Sequence, residues 1–197
     1  TYARFASRFT MTANRMLSFG VSRSILRKTI GIAEQRRLPK FAGRPFMKSR
    51  RVQSEHNLAD PTSSTPTVVF FVDYFANHHD PQLAEAFVRI LQHNGFRVHI
   101  PQEQLVSGMA MIAVADLAAA REVAETNVGE LSELAREGYP IVCTEPSAAL
   151  CLSQEYPLLL GTPDAKRIAE HTFDAGTFLW QLHQDGKLKL DFETVDY

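Results

Sequence analysis

Apolar residues run almost unbroken through Val68-Val-Phe-Phe-Val72 and then stop at Asp73, the pattern of a strand buried on both faces. Phe96–Ile100 and Tyr139–Cys143 are two further short runs of the same kind. Between them, apolar positions recur at helical spacing. Asp80 and Pro81 open a helix whose inward face is Leu83, Ala84, Phe87, Val88, Ile90 and Leu91, closed at Gly95. Met109–Val114 starts another after Ser107-Gly108, and Asp116 caps a long one through Arg136, ended at Gly138. Glu145-Pro-Ser147 opens a helix through Gln154, and Tyr156–Leu160 gives a short turn or helix. Pro163–His183 reads as one long helix ended at Gly186, and Leu188–Phe192 as an edge or departing strand.

Strands alternating with helices imply crossover connections and a mainly parallel sheet. The predicted fold is therefore α/β: a three-layer sandwich with a short, mainly parallel sheet of flavodoxin or Rossmann type. Ligands of such sheets bind beyond the carboxyl ends of the strands. Here that edge comprises Asp73–Asp80, Pro101–Gly108 and Thr144–Ala148.

Charge divides the chain. Residues 1–52 carry thirteen lysines and arginines against the single acid Glu34, although the whole chain has a net charge of only −1. Apolar positions in this part recur at helical spacing, which predicts two short amphipathic helices, 10–19 and 23–34. The preferred reading of 1–52 is a basic helical arm or connector packing on a neighbouring domain. A helix on an anionic membrane surface is the second reading. Nucleic acid ranks last, because no base-reading motif accompanies the charge. A polar linker, 53–67, separates the arm from the α/β domain, 68–186, and 187–197 is an exit segment toward a following domain.

Composition sets further bounds. The only cysteines, Cys143 and Cys151, lie in apolar surroundings and form neither a disulfide framework nor a metal-ligand spacing. A reducing cytoplasm is the expected compartment, with the inner-membrane surface as an alternative through the basic arm. No apolar run is long enough to span a bilayer. The chain opens on Thr1, the pattern of an excised piece of a longer protein. No glycine-rich phosphate loop and no nucleophile elbow occurs. His78-His79-Asp80 suggests metal or acid/base chemistry, but adjacent histidines tend to point apart and Asp80 is explained as a cap. Asp73, Tyr74, Ser107 and Glu145 converge at the sheet's carboxyl edge in such a fold. They either form a small polar pocket or satisfy the helix N-termini there, and the second is preferred. Trp180, with Phe173 and Phe178, is read as core or interface.

The same three loops carry a resemblance. Phe70–Leu83, Gln104–Gly108 with its Ala-rich helix, Thr144–Leu150 and Glu155-Tyr-Pro157 resemble the cysteine-rich domain repeat. That repeat occurs in the cysteine-rich component of heterodisulfide reductase, in the iron–sulfur component of anaerobic glycerol-3-phosphate dehydrogenase, and in the iron–sulfur half of fused FAD-linked oxidases of the D-lactate dehydrogenase kind. The likeness covers residues 68–183, and the arm resembles the connector that follows the ferredoxin-type domain in the fused oxidases. Asn77, Pro81, Gly108, Asn127, Pro146 and Glu155-Tyr-Pro157 are shared with the pattern. The cluster cysteines are not: Tyr74, Val106, Ser107 and Ala148 occupy their places, and none supplies a thiolate.

The resemblance thus implies part of an oxidoreductase in which electrons pass from a hydroxy acid through FAD to [4Fe-4S] clusters held elsewhere. No catalytic residue, metal or cofactor is assigned to this chain. It would serve as a structural and docking domain, with other domains or subunits of the parent enzyme as partners. The alternative is a domain that binds a small molecule or flavin in a pocket formed by Asp73, Tyr74, Asn77, Ser107, Gly108, Glu145 and Ser147.

Overall fold

The computed structural model describes residues 38–49 and 65–191 and, before them, positions 12, 14, 15, 24, 25, 27–29, 31, 33, 35 and 36. Of the helices expected at 10–19 and 23–34, the described positions 12, 14, 15, 24, 25 and 27–29 are helical. Gly31 and Ala33, also described, are not helical, and Gly31 stands at φ +73°, so the second helix does not run to 34 as expected. The other positions of both spans, most of the 53–67 linker and residues 192–197 of the exit segment lie outside the described residues.

Four parallel strands form one sheet in the order β2-β1-β3-β4. They are β1 (Thr67–Phe71), β2 (Arg97–His99), β3 (Ile141–Cys143) and β4 (Thr172–Asp174). Phe71 pairs with Cys143 and Val69 with His99, which fixes the register of β1 against its two neighbours. The unbroken apolar run of β1 has a plain cause, because helices cover both faces of the sheet. Val68 and Phe70 pack on one side against α2 (Pro81–His93) and α8 (Ala175–Gln184). Val69 and Phe71 pack on the other against α4 (Leu117–Arg136), α5 (Pro146–Leu150) and α7 (Pro163–Glu170). The three-layer α/β architecture expected from the sequence is the one observed.

The short helices belong to the loops at the carboxyl ends of the strands. Past β1 comes α1 (Tyr74–His78), past β2 comes α3 (Met109–Ala113), and α6 (Tyr156–Leu160) follows α5. The caps lie where the sequence placed them: Asp80 accepts from the Leu83 N–H and Asp116 from the Ala119 N–H.

Pro163–His183 is not one helix, since β4 interrupts it. Thr172, Phe173 and Asp174 pair with Ile141, Val142 and Cys143, and Asp174 then caps α8 by accepting from the Thr177 N–H at 3.0 Å. Helical periodicity across this stretch masked a three-residue strand whose residues fill the open edge of β3. The expected strand at 188–192 is likewise absent among the described residues 188–191. Its backbone turns to helices instead: the Leu188 N–H donates to the Leu182 carbonyl and the Lys189 N–H to Asn94 Oδ1.

The basic segment reaches the core through a strap. In a 3₁₀ turn, Phe46–Lys48, the Phe46 side chain is fully buried against Phe70, ring centroids 6.1 Å apart. The Met47 N–H donates to Asn77 Oδ1 at 3.0 Å, the Ala42 N–H to the His78 carbonyl at 2.8 Å, and His79 Nδ1 to the Lys40 carbonyl at 2.8 Å. Residues 40–47 thus fasten onto the C-terminal end of α1.

Candidate functional site

The strand order changes direction at β1, whose neighbours are β2 on one side and β3 on the other. That is the switch point at which doubly wound sheets hold ligands. A cavity of about 320 Å3 lies there, formed by the loops after β1, β2 and β3.

Its polar wall is Asp73, Tyr74, Ser107, Glu145 and Ser147, and its apolar wall is Val106, Met109, Met111 and neighbouring alanines. Six of the seven residues proposed from the sequence as a pocket therefore line one cavity, Gly108 included. Asn77 does not; its amide holds the strap.

Asp73 and Ser107 form the floor. The Ser107 N–H donates to Asp73 Oδ1 at 2.9 Å and the Ser107 hydroxyl to Asp73 Oδ2 at 2.6 Å, with both residues buried. Gly108 follows with φ +90°, and a Cβ there would sit 3.5 Å from Val123 Cγ1. Backbone conformation, more than space, therefore favours glycine.

The sequence assigns Glu145 to its own helix, α5. Its carboxylate crosses the cavity instead and accepts from the Ala76 N–H of α1 at 2.9 Å. Burial pushes its pKa up, the Ala76 N–H opposes this, and the nearby Asp73 charge adds to the rise. Helix N-termini and cavity are therefore not alternatives here, because one carboxylate serves both.

Beneath the floor runs a buried hydrogen-bonded chain. Asn127, fully buried on α4, accepts the Leu105 N–H at 2.7 Å and donates to the Val106 carbonyl and the Tyr156 hydroxyl. The Tyr156 hydroxyl donates to the Ser107 carbonyl at 2.9 Å, and so does the Cys151 thiol at 3.1 Å. A π-helical turn, Cys151–Glu155, links α5 to α6. Pro157 has no N–H for an α-type bond back to Ser153, and the wider turn sets Cys151 and Tyr156 side by side on one carbonyl. Gln104 completes the lining of the loop by donating to the Val72 carbonyl at 2.7 Å. The resemblance singled out Asn127 and Tyr156 as positions shared with the pattern; nothing in the sequence signalled that Met109 and Met111 would wall the cavity.

The positions that the sequence resemblance sets against cluster cysteines lie close together. Tyr74, Val106 and Ser107 line the cavity, and Ala148 is fully buried on α5 beside it. The donors present do not fit an iron–sulfur cluster. Oxygen atoms and thioethers face the space, while Cys143 and Cys151 are buried in the core. Burial, reinforced by the Asp73 charge, pushes the Cys143 thiol well up and the Cys151 thiol up to about 12. Both stay protonated and are poor ligands. Among the described residues no three histidines, cysteines or acids group as a metal site, so His78 and His79 join none. His79 holds the strap and stacks near Phe41, and Trp180 stands exposed on α8 rather than in the core.

The chain is 27% identical over 172 residues to the D-2-hydroxyglutarate dehydrogenase of Escherichia coli (strain K12). The match takes in 82% of this chain but only 16% of that enzyme's length. This likeness relates the chain to an oxidoreductase. No family model matches the chain, and no solved structure matches it. No helix among the described residues is long and apolar enough to cross a membrane.

Proposed function

We propose that this chain is a cysteine-rich-type repeat that has lost its cluster and acts as a structural and docking domain of a flavin- and iron–sulfur-dependent hydroxy-acid oxidoreductase. In this reading FAD and [4Fe-4S] clusters belong to other parts of the parent enzyme, in the cytoplasm or at the inner-membrane surface. The likeness to a 2-hydroxy-acid dehydrogenase, of which the chain spans 16%, supports the enzyme class.

The observation that carries the loss of the cluster is the convergence of the vacated positions. Tyr74, Val106 and Ser107 meet in one cavity with Ala148 at its side, and hydrogen bonds between Ser107 and Asp73 fill the place of metal–thiolate bonds. With the bond from the Ala76 N–H to Glu145, they hold the three loops together without metal, which is what a scaffold needs once its ligands are gone. A flavin in this cavity is the weaker reading, because no lysine or arginine lines it to meet a phosphate.

Iron and acid-labile sulfide analysis of the 197-residue chain, purified without oxygen, tests the proposal. A colourless protein free of both is expected. Brown protein containing iron and sulfide overturns the reading, and a yellow flavin spectrum replaces it with the flavin-binding one.

A further inference from the structure

Two carboxylates on neighbouring strand ends are an unusual pair to leave facing one cavity. Asp73 follows β1 and Glu145 follows β3, and no lysine, arginine or histidine lies among the lining residues. Neither acid forms an ion pair among the described residues. Mutual repulsion in a half-buried space is a cost, and it is one that a cation entering the cavity would relieve.

Shape narrows the occupant further. Val106, Met109, Ala110 and Met111 make up the apolar part of the lining. Unbranched thioethers adapt to a slender alkyl chain better than branched residues do. At the mouth stand the hydroxyls of Tyr74 and Ser147, the first half-exposed. About 320 Å3 holds a small molecule or one long side chain. An anion is disfavoured on the same grounds: a 2-hydroxy acid or a phosphate would add a third negative charge with no donor cation to meet it.

We propose that the cavity binds an ammonium or guanidinium head carried on a short apolar stem, the head between Asp73 and Glu145 and the stem along Met109 and Met111. This rests on the reading that the cavity holds no cluster. A basic side chain of a docked polypeptide and a free alkylamine share that chemistry. Charge-assisted hydrogen bonds supply the affinity and the thioether wall supplies the preference for a stem over a bare ion.

Calorimetric titration of the 197-residue chain with n-butylguanidinium, 1-pentanol and n-pentanoate tests it. The guanidinium is expected to bind about 10-fold or more tighter than the alcohol, the range of one charge-assisted hydrogen bond, and the pentanoate not to saturate. Glu145→Gln keeps an oxygen for the Ala76 N–H and is expected to weaken the guanidinium about 10-fold. Ala110→Trp leaves both acids in place, puts bulk into the cavity from an exposed lining position and is expected to abolish binding; it decides the matter should Glu145→Gln fail to fold. N-acetyl-Gly-Arg-Gly-amide separates the sources. Tighter binding than butylguanidinium assigns the cavity to a protein side chain, and weaker binding assigns it to a free small molecule. Absence of saturable guanidinium binding, or equal binding of pentanoate, overturns the proposal. Iron-free protein that ignores the guanidinium sinks this inference alone, whereas protein containing a cluster sinks the reading beneath it as well.

Discussion

On one face of the sheet, Phe46, Phe70, Phe87 and Phe178 close a core made of hydrocarbon, whereas the other face buries Tyr156, Cys143, Cys151 and the fully enclosed amide of Asn127. The first face needs only volume and shape. The second needs donors matched to acceptors, because a buried polar group without a partner costs more than its bond returns. The difference follows from what each face must hold. Helices α2 and α8 lie on a sheet that already satisfies its own backbone. The layer containing α4 and α5 must also fix the irregular loop at 104–108, whose N–H and C=O groups have no ladder to join. Asn127 and Tyr156 supply those bonds, and the cavity is held open as a result.

Substitutions can break each face on its own terms. Phe46→Ala removes a fully buried ring and is expected to destabilise the chain by about 3–5 kcal/mol in urea unfolding. A loss below about 1 kcal/mol would mean that the strap is not part of the core. Asn127→Leu keeps the branched shape with some added bulk but strands the Leu105 N–H, the Val106 carbonyl and one Tyr156 bond. A loss of about 2–4 kcal/mol is expected, with faster amide exchange confined to 104–108. Tyr156→Phe should cost only about 1 kcal/mol, since the Cys151 thiol still donates to the Ser107 carbonyl. A double-mutant cycle with Asn127→Leu should then show the two acting as one unit.

The smallest effect is in the pH dependence. Glu145 has a folded-state pKa raised by burial, so between the ordinary glutamate value and the raised one the folded chain holds more proton than the unfolded chain. Stability therefore falls as pH rises through that window. Glu145 is partly exposed, so the slope is shallow, and Glu145→Gln should flatten it. An unchanged slope in the variant would place its origin in another group.

The hydrocarbon face was the legible one. Periodicity gave α2 and its buried residues Ala84, Phe87, Val88 and Leu91, although Leu83 and Ile90, also read as inward, stand exposed at the edges of that face. The unbroken run of β1 gave a sheet covered on both sides. The caps Asp80 and Asp116 and the glycine stops were also readable, since each acts within a few residues of itself. What failed was side-chain and edge detail decided across the fold, not the topology itself. Thr172–Asp174 satisfied a helical period and became a strand because β3 offered an open edge. The carboxylate of Glu145 serves a helix 69 residues away in sequence, which local capping rules cannot foresee. In the same way the convergence of Asp73, Tyr74, Ser107 and Glu145 was expected from topology, while Met109 and Met111 entered the wall through the turn at Gly108, a detail of backbone conformation.

We propose that hydrogen bonds hold the three loops where the cysteine-rich repeat that this chain resembles holds a cluster. Anaerobic incubation of the chain with ferrous iron and sulfide, followed by desalting and electron paramagnetic resonance of the reduced protein, tests it most directly. No bound cluster and no iron–sulfur signal are expected, because Tyr74, Val106, Ser107 and Ala148 offer no thiolate. A stoichiometric cluster with an iron–sulfur signal that disappears in Cys143→Ser or Cys151→Ser would contradict it.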